Sequence, residues 1–313
     1  MFNIFIDDLL ISLSKSNVGV QIGDTTFNSF AYADDISVFS LNTTDLQMLI
    51  DVCYEYSIKW RFSFNPSKTK YIVSGKSLFI TEPEFVLGDT KIARVENIEV
   101  LGTIFPSDAS SADHVDKRIQ STRRAMYSLV TAGCSYPGLS TDAKVYMWNS
   151  VGRSSLTYNL ETLNINKSQF KKIESAQGTA IKRMLGIPIR NHHSNILRAL
   201  KVNSVQNSVN NNILSLWNRI FLSDSPTKSL CSYLLANYIS SGILIPGALL
   251  SRLVNIPGVS AVNAIFYRRR IYDQWVAGNE GIIDSIQYLI HHDNYIKPYH
   301  QEHMLVCLLT KAF

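Results

Sequence analysis

An α+β fold is what this sequence predicts: a β-rich stretch near the N-terminus, followed by a chain that is mostly helical. Three observations predict it. Residues 18–40 alternate apolar and polar positions with turn signals between them, the pattern of short strands. From Leu46 onward, apolar residues recur mostly at three- and four-residue spacing, the pattern of amphipathic helices. The chain is 46% hydrophobic and only 18% charged, enough to fill real cores and too little charge for a disordered chain. Its 313 residues suggest two or three domains. The expected divisions are a sheet-bearing region at 1–106, a helical region at 107–203 and a further helical region at 204–313.

The elements follow in order. Phe2, Phe5, Ile6, Leu9, Leu10 and Leu13 recur at helical spacing, so residues 1–15 are expected to form a short helix with one buried face. It begins abruptly, with nothing before it to pack against, a first hint of truncation. Val18, Val20 and Ile22 alternate with Gly19 and Gln21 as a strand, and Gly23-Asp24 is a turn signal. Phe27 to Tyr32 and Ile36 to Phe39 are two further strands, with Ala33-Asp34-Asp35 at the tip between them. Leu46, Leu49, Ile50, Cys53 and Tyr54 mark a helix opened by Thr43 or Thr44 as cap. Tyr71-Ile72-Val73 reads as a strand. Asp113 to Cys134 reads as a long helix with Val115, Ile119, Met126, Leu129 and Val130 as its apolar stripe. Thr141 to Gly152 and Ser168 to Leu185 follow as helices, then one around Leu214, Leu216, Trp217, Ile220 and Phe221, then Leu230 to Tyr238.

Several function classes are excluded or disfavoured. Asp7 and Asp8 follow the apolar start at once, without a basic leader or a small-residue cleavage site, so no signal peptide is expected. The apolar stretch near Tyr238 to Ile256 is broken by Ser, Gly, Pro and Arg252, so no membrane span of about 20 apolar residues is expected. Cys53, Cys134, Cys231 and Cys307 lie far apart and form no CxxC pair. They read as small buried side chains, and a reducing intracellular compartment fits them. No Gly-rich phosphate loop, nucleophile elbow or HExxH is present. The net charge of +5 permits a nucleic-acid partner without demonstrating one.

The unusual feature is Tyr32-Ala33-Asp34-Asp35. Asp is depleted in strands, and adjacent carboxylates repel each other. A hairpin tip tolerates one Asp as an ordinary turn residue. A divalent cation explains both, since Mg²⁺ prefers carboxylate oxygens and bridges to substrate phosphates. Position alone leaves both readings open.

The context resembles the reverse transcriptases of non-LTR (LINE-type) retrotransposons. Phe30-Ala31-Tyr32-Ala33-Asp34-Asp35 resembles their motif C loop, Phe/Tyr-x-Asp-Asp, and Met1 to Leu10 looks like the end of motif B. Trp60 to Lys70, with its Asn65-Pro66-Ser67-Lys68-Thr69 core, looks like motif D. Val100-Leu101-Gly102-Thr103-Ile104 resembles motif E, the primer grip. These four motifs stand in the family's order over residues 1–105. The resemblance implies a partial polymerase palm followed by a helical thumb, and RNA-directed DNA synthesis. A primer 3′-hydroxyl would attack the α-phosphate of a deoxynucleotide, with two Mg²⁺ (or Mn²⁺) about 3.5–4 Å apart stabilising the attacking and leaving oxygens. By the resemblance Asp34 is the principal metal ligand and Asp35 assists. Tyr32 and Ala33 lie beneath the primer terminus, and Leu101 and Gly102 approach the primer. Lys68, and less surely Lys70, would act on the triphosphate as an acid or electrostatic stabiliser; the bland alternative is a solvated loop lysine.

The resemblance also implies a third carboxylate, from motif A, on the strand beside the hairpin. That motif lies well upstream of motif B, and no later segment supplies it, so this chain alone is expected not to polymerise. Asp7 and Asp8 are not expected to be ligands. Downstream, Lys117, Arg118, Arg123 and Arg124 line one helix, and Lys167 to Lys201 holds eight basic residues, among them Lys171, Lys172, Lys182 and Arg183, against Glu174 alone. Such a basic thumb would bind a template–primer duplex through its phosphates; the alternative is an ordinary solvated helix face. Arg268-Arg269-Arg270 is another basic cluster. His291, His300, His303 and Cys307 are too irregular for a zinc knuckle, and no zinc is expected. Two other readings remain: a non-catalytic nucleic-acid-binding remnant, and a helical interaction module.

Overall fold

A computed structural model describes residues 2–22, 25–75, 82–108, 110–136, 138–223, 225–241, 249–254, 256 and 304–310. The chain divides into two compact units, one of Met1–Ser110 with Lys297–Phe313, the other of Ser111–Ile296.

The first unit opens with helix α1 (Phe2–Ser14), which buries Ile6, Leu9 and Leu13. Strands β1 (Val20–Ile22) and β2 (Thr25–Phe27) form a small hairpin. Strands β3 (Ser29–Tyr32) and β4 (Asp35–Ser40) form the hairpin that carries the two aspartates. Helix α2 (Thr43–Lys59) follows. Its N-cap is Asn42, not Thr43 or Thr44 as expected. Asn42 keeps an extended backbone and its side chain accepts from the Asp45 N–H at 2.7 Å, while Thr43 is already helical. Leu46, Leu49, Ile50, Cys53 and Tyr56 form its buried stripe. Strand β5 (Lys70–Ser74) is followed by the short hairpin β6 (Val86–Leu87) and β7 (Thr90–Lys91), then β8 (Ala93–Arg94), which pairs parallel to β5. Strands β9 (Asn97–Val100) and β10 (Thr103–Pro106) close the region as a hairpin.

The second unit is helical, with a core that includes the fully buried Trp148 and Trp217. Helix α3 (Ala112–Leu129) was expected to run on to Cys134. Instead it passes at Val130–Cys134 into a wider turn that contains a kink, where Gly133 takes a φ of 97°, outside the helical range. Helix α4 (Thr141–Met147) likewise gives way to a π turn, Trp148–Gly152, before α5 (Arg153–Thr157). Helices α6 (Lys167–Leu185), α7 (His193–Ala199), α8 (Val205–Leu222), α9 (Pro226–Ser241) and α10 (Leu249–Val254) complete the described part.

The largest departure from expectation is at residues 304–310, read from the sequence as part of a helical region. They form strand β11 (Met304–Thr310), which belongs to the sheet of the first unit. The sheet order is β3-β4-β11-β5-β8, with β11 antiparallel to both neighbours. A short apolar run cannot be told from a buried helix segment by periodicity alone, and its pairing partners are remote in sequence. Arg268 to Arg270, His291, His300 and His303 lie outside the described residues. Among the described residues, no helix is long and apolar enough to cross a membrane.

Candidate functional site

The site is built on the β3–β4 hairpin. Ile36 and Val38 of β4 are buried with Leu9 and Leu13 of α1, Leu46, Leu49 and Ile50 of α2, and Tyr71 and Val73 of β5. By the two-residue alternation of a strand, Asp35, Ser37 and Phe39 then lie on the opposite, outer face. Phe30 and Tyr32 are exposed there, Tyr32 at 64%, and the Phe30 and Phe39 rings sit 6.1 Å apart. Ile72 of β5 also faces outward, covered by Ile98 and Val100 of β9. The β9–β10 hairpin thus packs on the face that bears Tyr32 and Asp35.

The connection between β3 and β4 is as short as a hairpin allows. Tyr32 pairs with Asp35, which leaves Ala33 and Asp34 as the two turn residues. Ala33 has φ 52°. A positive φ at the first turn position matches the right-handed twist of the strands and is usually met by Gly. In alanine the left-handed conformation is strained by about 1–2 kcal/mol. Such strain is concentrated at sites where a backbone position is fixed for function. The β9–β10 turn is related: Leu101 (φ 50°) and Gly102 (φ 77°) are its two central residues, both in the left-handed region, as a two-residue primed turn requires. Gly102 is thereby accounted for by turn geometry.

Lys68 belongs to a tight turn organised by Asn65. The Asn65 side chain accepts from the Ser67 N–H (3.0 Å) and the Ser67 hydroxyl (2.7 Å), and its carbonyl accepts from the Lys68 and Thr69 N–H groups. Lys68 and Lys70 are exposed. The register shows which end of the sheet this is. Lys70 is level with Leu308, which is level with Ser37, so the turn just before Lys70 lies at the Asp35 end. Tyr32, Ala33, Asp34, Asp35 and Lys68 therefore share one end of one sheet. Leu101 and Gly102 are not placed in that group by the register. The base of their hairpin is tied to the other end of β5, where the Gly75 N–H donates to the Ser107 carbonyl.

One positioning residue has no counterpart in the sequence reading. Asn28 is 4% exposed, and its side-chain amide donates to the Leu13 carbonyl at 2.7 Å and the Val18 carbonyl at 2.9 Å. Its own carbonyl accepts from the Phe39 N–H at 2.8 Å. Asn28 thus latches the end of α1 to the base of the hairpin. The available signal was a polar amide at the junction of two apolar strands. Tyr56 makes a second tie, donating to the Phe5 carbonyl. Burial, and then the charge of Asp8, holds its hydroxyl pKa above the ordinary tyrosine range.

Residues 1–105 match the family model for reverse transcriptase (RNA-dependent DNA polymerase). The match covers about a third of the chain and ends within β10, so it spans the two-aspartate hairpin, the Asn65 turn and the Leu101-Gly102 hairpin. No curated protein and no solved structure matches.

Asp34 and Asp35, adjacent at the hairpin tip, are the residues of this site that could hold a metal ion. Mg²⁺ keeps several waters and is commonly held by one or two carboxylates together with substrate phosphates. Among the described residues, no three His, Cys, Asp or Glu side chains come together as a metal-binding group. Two carboxylates match the protein's usual share in holding one such ion, and a clamp for two ions needs further donors.

In the helical unit, the basic residues singled out from the sequence meet different fates. Lys182 is 5% exposed, and its ammonium donates to the Ile189 and Asn191 carbonyls at 2.7 and 2.8 Å. It is a structural lysine, out of reach of a phosphate. Arg118 is buried with its guanidinium 5.2 Å from the centre of the Tyr158 ring. Lys117 is half-buried. Lys172 is ion-paired with Asp116. Arg123, Arg124, Lys171 and Arg183 are exposed. Arg123 and Arg183, with Lys172, Met126 and the exposed Tyr127, line an open groove of about 810 Å³ between α3 and α6.

Proposed function

We propose that residues 1–106 are the later part of a reverse transcriptase palm of the non-LTR (LINE-type) kind, and that 107–203 serve as its thumb and 204–313 as a further, mostly helical region. The observation that carries this reading is the hairpin itself. Two aspartates stand at a two-residue turn strained at Ala33, at the same end of the sheet as Lys68, within the stretch that matches the family. In this reading Asp34 and Asp35 would hold a divalent cation, Mg²⁺ or Mn²⁺, which would supply positive charge to stabilise phosphate oxygens. Tyr32 and Ala33 support the primer terminus, Leu101 and Gly102 contact the primer, and Lys68 stabilises the leaving pyrophosphate. The partners are an RNA template, a DNA primer and a deoxynucleotide, in an intracellular setting. Arg123, Arg124, Lys171 and Arg183 contact the duplex backbone.

A second reading, a non-catalytic nucleic-acid-binding remnant, is favoured by one observation. The strand beside the hairpin is β11, and Met304–Thr310 contains no Asp or Glu. On that ground we read this chain by itself as catalytically incomplete. Primer extension on a primed RNA template, with Mg²⁺ or Mn²⁺, should yield no product; synthesis that Asp34→Asn abolishes would overturn the incompleteness. Sequencing the transcript upstream of the Met1 codon separates the two readings. An in-frame apolar strand ending in Asp supports the enzyme, and intervening stop codons support the remnant.

A further inference from the structure

The β4-α2-β5 segment is an incomplete sheet unit. Strands β4 and β5 both run antiparallel to β11, so they are parallel to each other, joined by α2 across one face. Between them is room for one strand, a slot about 9.5 Å wide from two inter-strand spacings. Every other strand of this sheet comes from Met1–Ser110, whereas its filler comes from beyond the whole second unit, Ser111–Ile296. The filler pairs along its length, with Leu305 to Thr310 against Ser40 to Asp35 and Met304 to Leu308 against Ser74 to Lys70. Its sequence, Met-Leu-Val-Cys-Leu-Leu-Thr, carries no charge, as suits a strand with neighbours on both sides.

We propose that this slot is a strand-exchange site: Met304–Thr310 is a detachable donor strand held in cis, and the same segment supplied in trans can replace it. The physical basis is main-chain recognition. An extended peptide added to a sheet gains its affinity from backbone hydrogen bonds, and here both edges contribute them. The same hydrogen bonds are open to an identical segment of another copy, so a donor this remote in sequence is favoured in cis only by effective concentration, the circumstance in which segments exchange between copies. Occupancy also has a consequence at the aspartates. Thr310 is the residue level with Asp35, so β11 and any strand that would bring a carboxylate there are mutually exclusive. This inference does not depend on the polymerase reading, and its test uses neither metal nor nucleic acid.

The test uses the full chain and a fluorescent peptide of residues 304–310, with Ser at the Cys307 position and lysine tails for solubility. Val306→Pro removes a backbone donor from the middle of β11 and should free the slot. The variant should bind the peptide at least tenfold more tightly than the parent chain. Hydrogen exchange at 36–40 and 70–74 should quicken in the variant and slow again on peptide binding. Equal binding by both chains, or none by a variant whose α2 amides stay protected, overturns the proposal. Should Val306→Pro unfold α2 as well, a locked chain decides. Val38 is level with Cys307, at a separation antiparallel pairs share with disulfides. Val38→Cys in a Cys53→Ser background should form a 38–307 disulfide within one chain and then exclude the peptide until reduced. Failure to form that link in a folded chain, or continued peptide binding by the linked chain, sinks the idea.

Discussion

The two units hold their notable residues in opposite ways. In the sheet-bearing unit, Tyr32, Ala33, Asp34, Asp35 and Lys68, read as a group from the sequence, share one end of one sheet. In the helical unit, an equally conspicuous group of basic residues is dispersed. Lys182 and Arg118 are buried, Lys172 is ion-paired, and Arg123, Arg124, Lys171 and Arg183 are exposed. The difference comes from the local geometry. A two-residue turn fixes adjacent residues in one place, so proximity in sequence is proximity in space. In a helix, adjacent residues point about 100° apart, so Lys182 and Arg183 have opposite surroundings although they are neighbours. Charge density along a helical sequence therefore overstates the charge available on any one face.

The sharpest way to break the order of the first unit is at Asn28. Asn28→Ala removes the buried amide that donates to the Leu13 and Val18 carbonyls; the Leu13 carbonyl keeps the Ser16 N–H and hydroxyl as donors, and the Val18 carbonyl loses its Asn28 partner. Stability should fall by about 1–3 kcal/mol, measured by urea unfolding followed through the first unit's exchange-protected amides. A change below about 0.5 kcal/mol would mean that α1 is fixed to the hairpin by apolar packing alone.

The dispersal in the second unit is tested by the neighbouring pair. Lys182→Met strands two carbonyls and should cost about 1–3 kcal/mol of stability, with no effect on the salt dependence of RNA or DNA binding at temperatures where it is folded. Arg183→Ala should leave stability within about 0.5 kcal/mol and reduce the slope of log affinity against log salt by about one. Equal effects of the two substitutions on the salt slope would erase the distinction drawn between them.

What the sequence revealed follows the same division. Helix α1, the β3–β4 tip, α2 and β5 were each legible because the signal was local: apolar spacing, a turn, a cap. Even there, the cap of α2 fell on Asn42, since three successive candidates at positions 42–44 compete and only the backbone decides which is still extended. The break after α3, in the turn that holds Gly133, was not legible because a glycine inside an apolar pattern can be tolerated as well as break a helix. The position of Met304–Thr310 in the sheet was not legible at all. Nothing in seven uncharged residues names partners as remote as Ser40 and Ser74. The buried state of Lys182 was hidden for a related reason: its acceptors, the Ile189 and Asn191 carbonyls, are backbone atoms with no sequence signature.

A smaller effect sharpens the account of the hairpin. Ala33→Gly relieves the left-handed strain at φ 52° while adding freedom to the unfolded chain. The first effect exceeds the second, so stability should rise, by up to about 1 kcal/mol. With Asp34 as the proposed ligand, metal affinity should fall in the same variant, because the turn holding Asp34 becomes less rigid. Titration with Mn²⁺ alongside thermal unfolding separates the two outcomes; a variant that is less stable than the parent would refute the assigned strain.

The smallest expected effect concerns the one acidic residue in the basic stretch. Glu174 is partly buried and its carboxylate accepts from the Val205 N–H at 2.6 Å, at the start of α8. Burial raises its pKa above the ordinary value of 4.5, outweighing the Gln206 and Val205 N–H groups and the charge of His193, which act to lower it. The folded state therefore holds the Glu174 proton more tightly than the unfolded state does. Its stabilising contribution is complete below the unfolded pKa and is lost as pH rises through the folded one. Glu174→Gln keeps an acceptor for Val205 and removes the titration. Second-unit stability should then change little at low pH, and the decline above pH 4.5 should flatten relative to the parent chain. A parent chain that instead gains stability across that window relative to the variant would show that the hydrogen bonds to the ionised carboxylate, and not its burial, dominate at the start of α8.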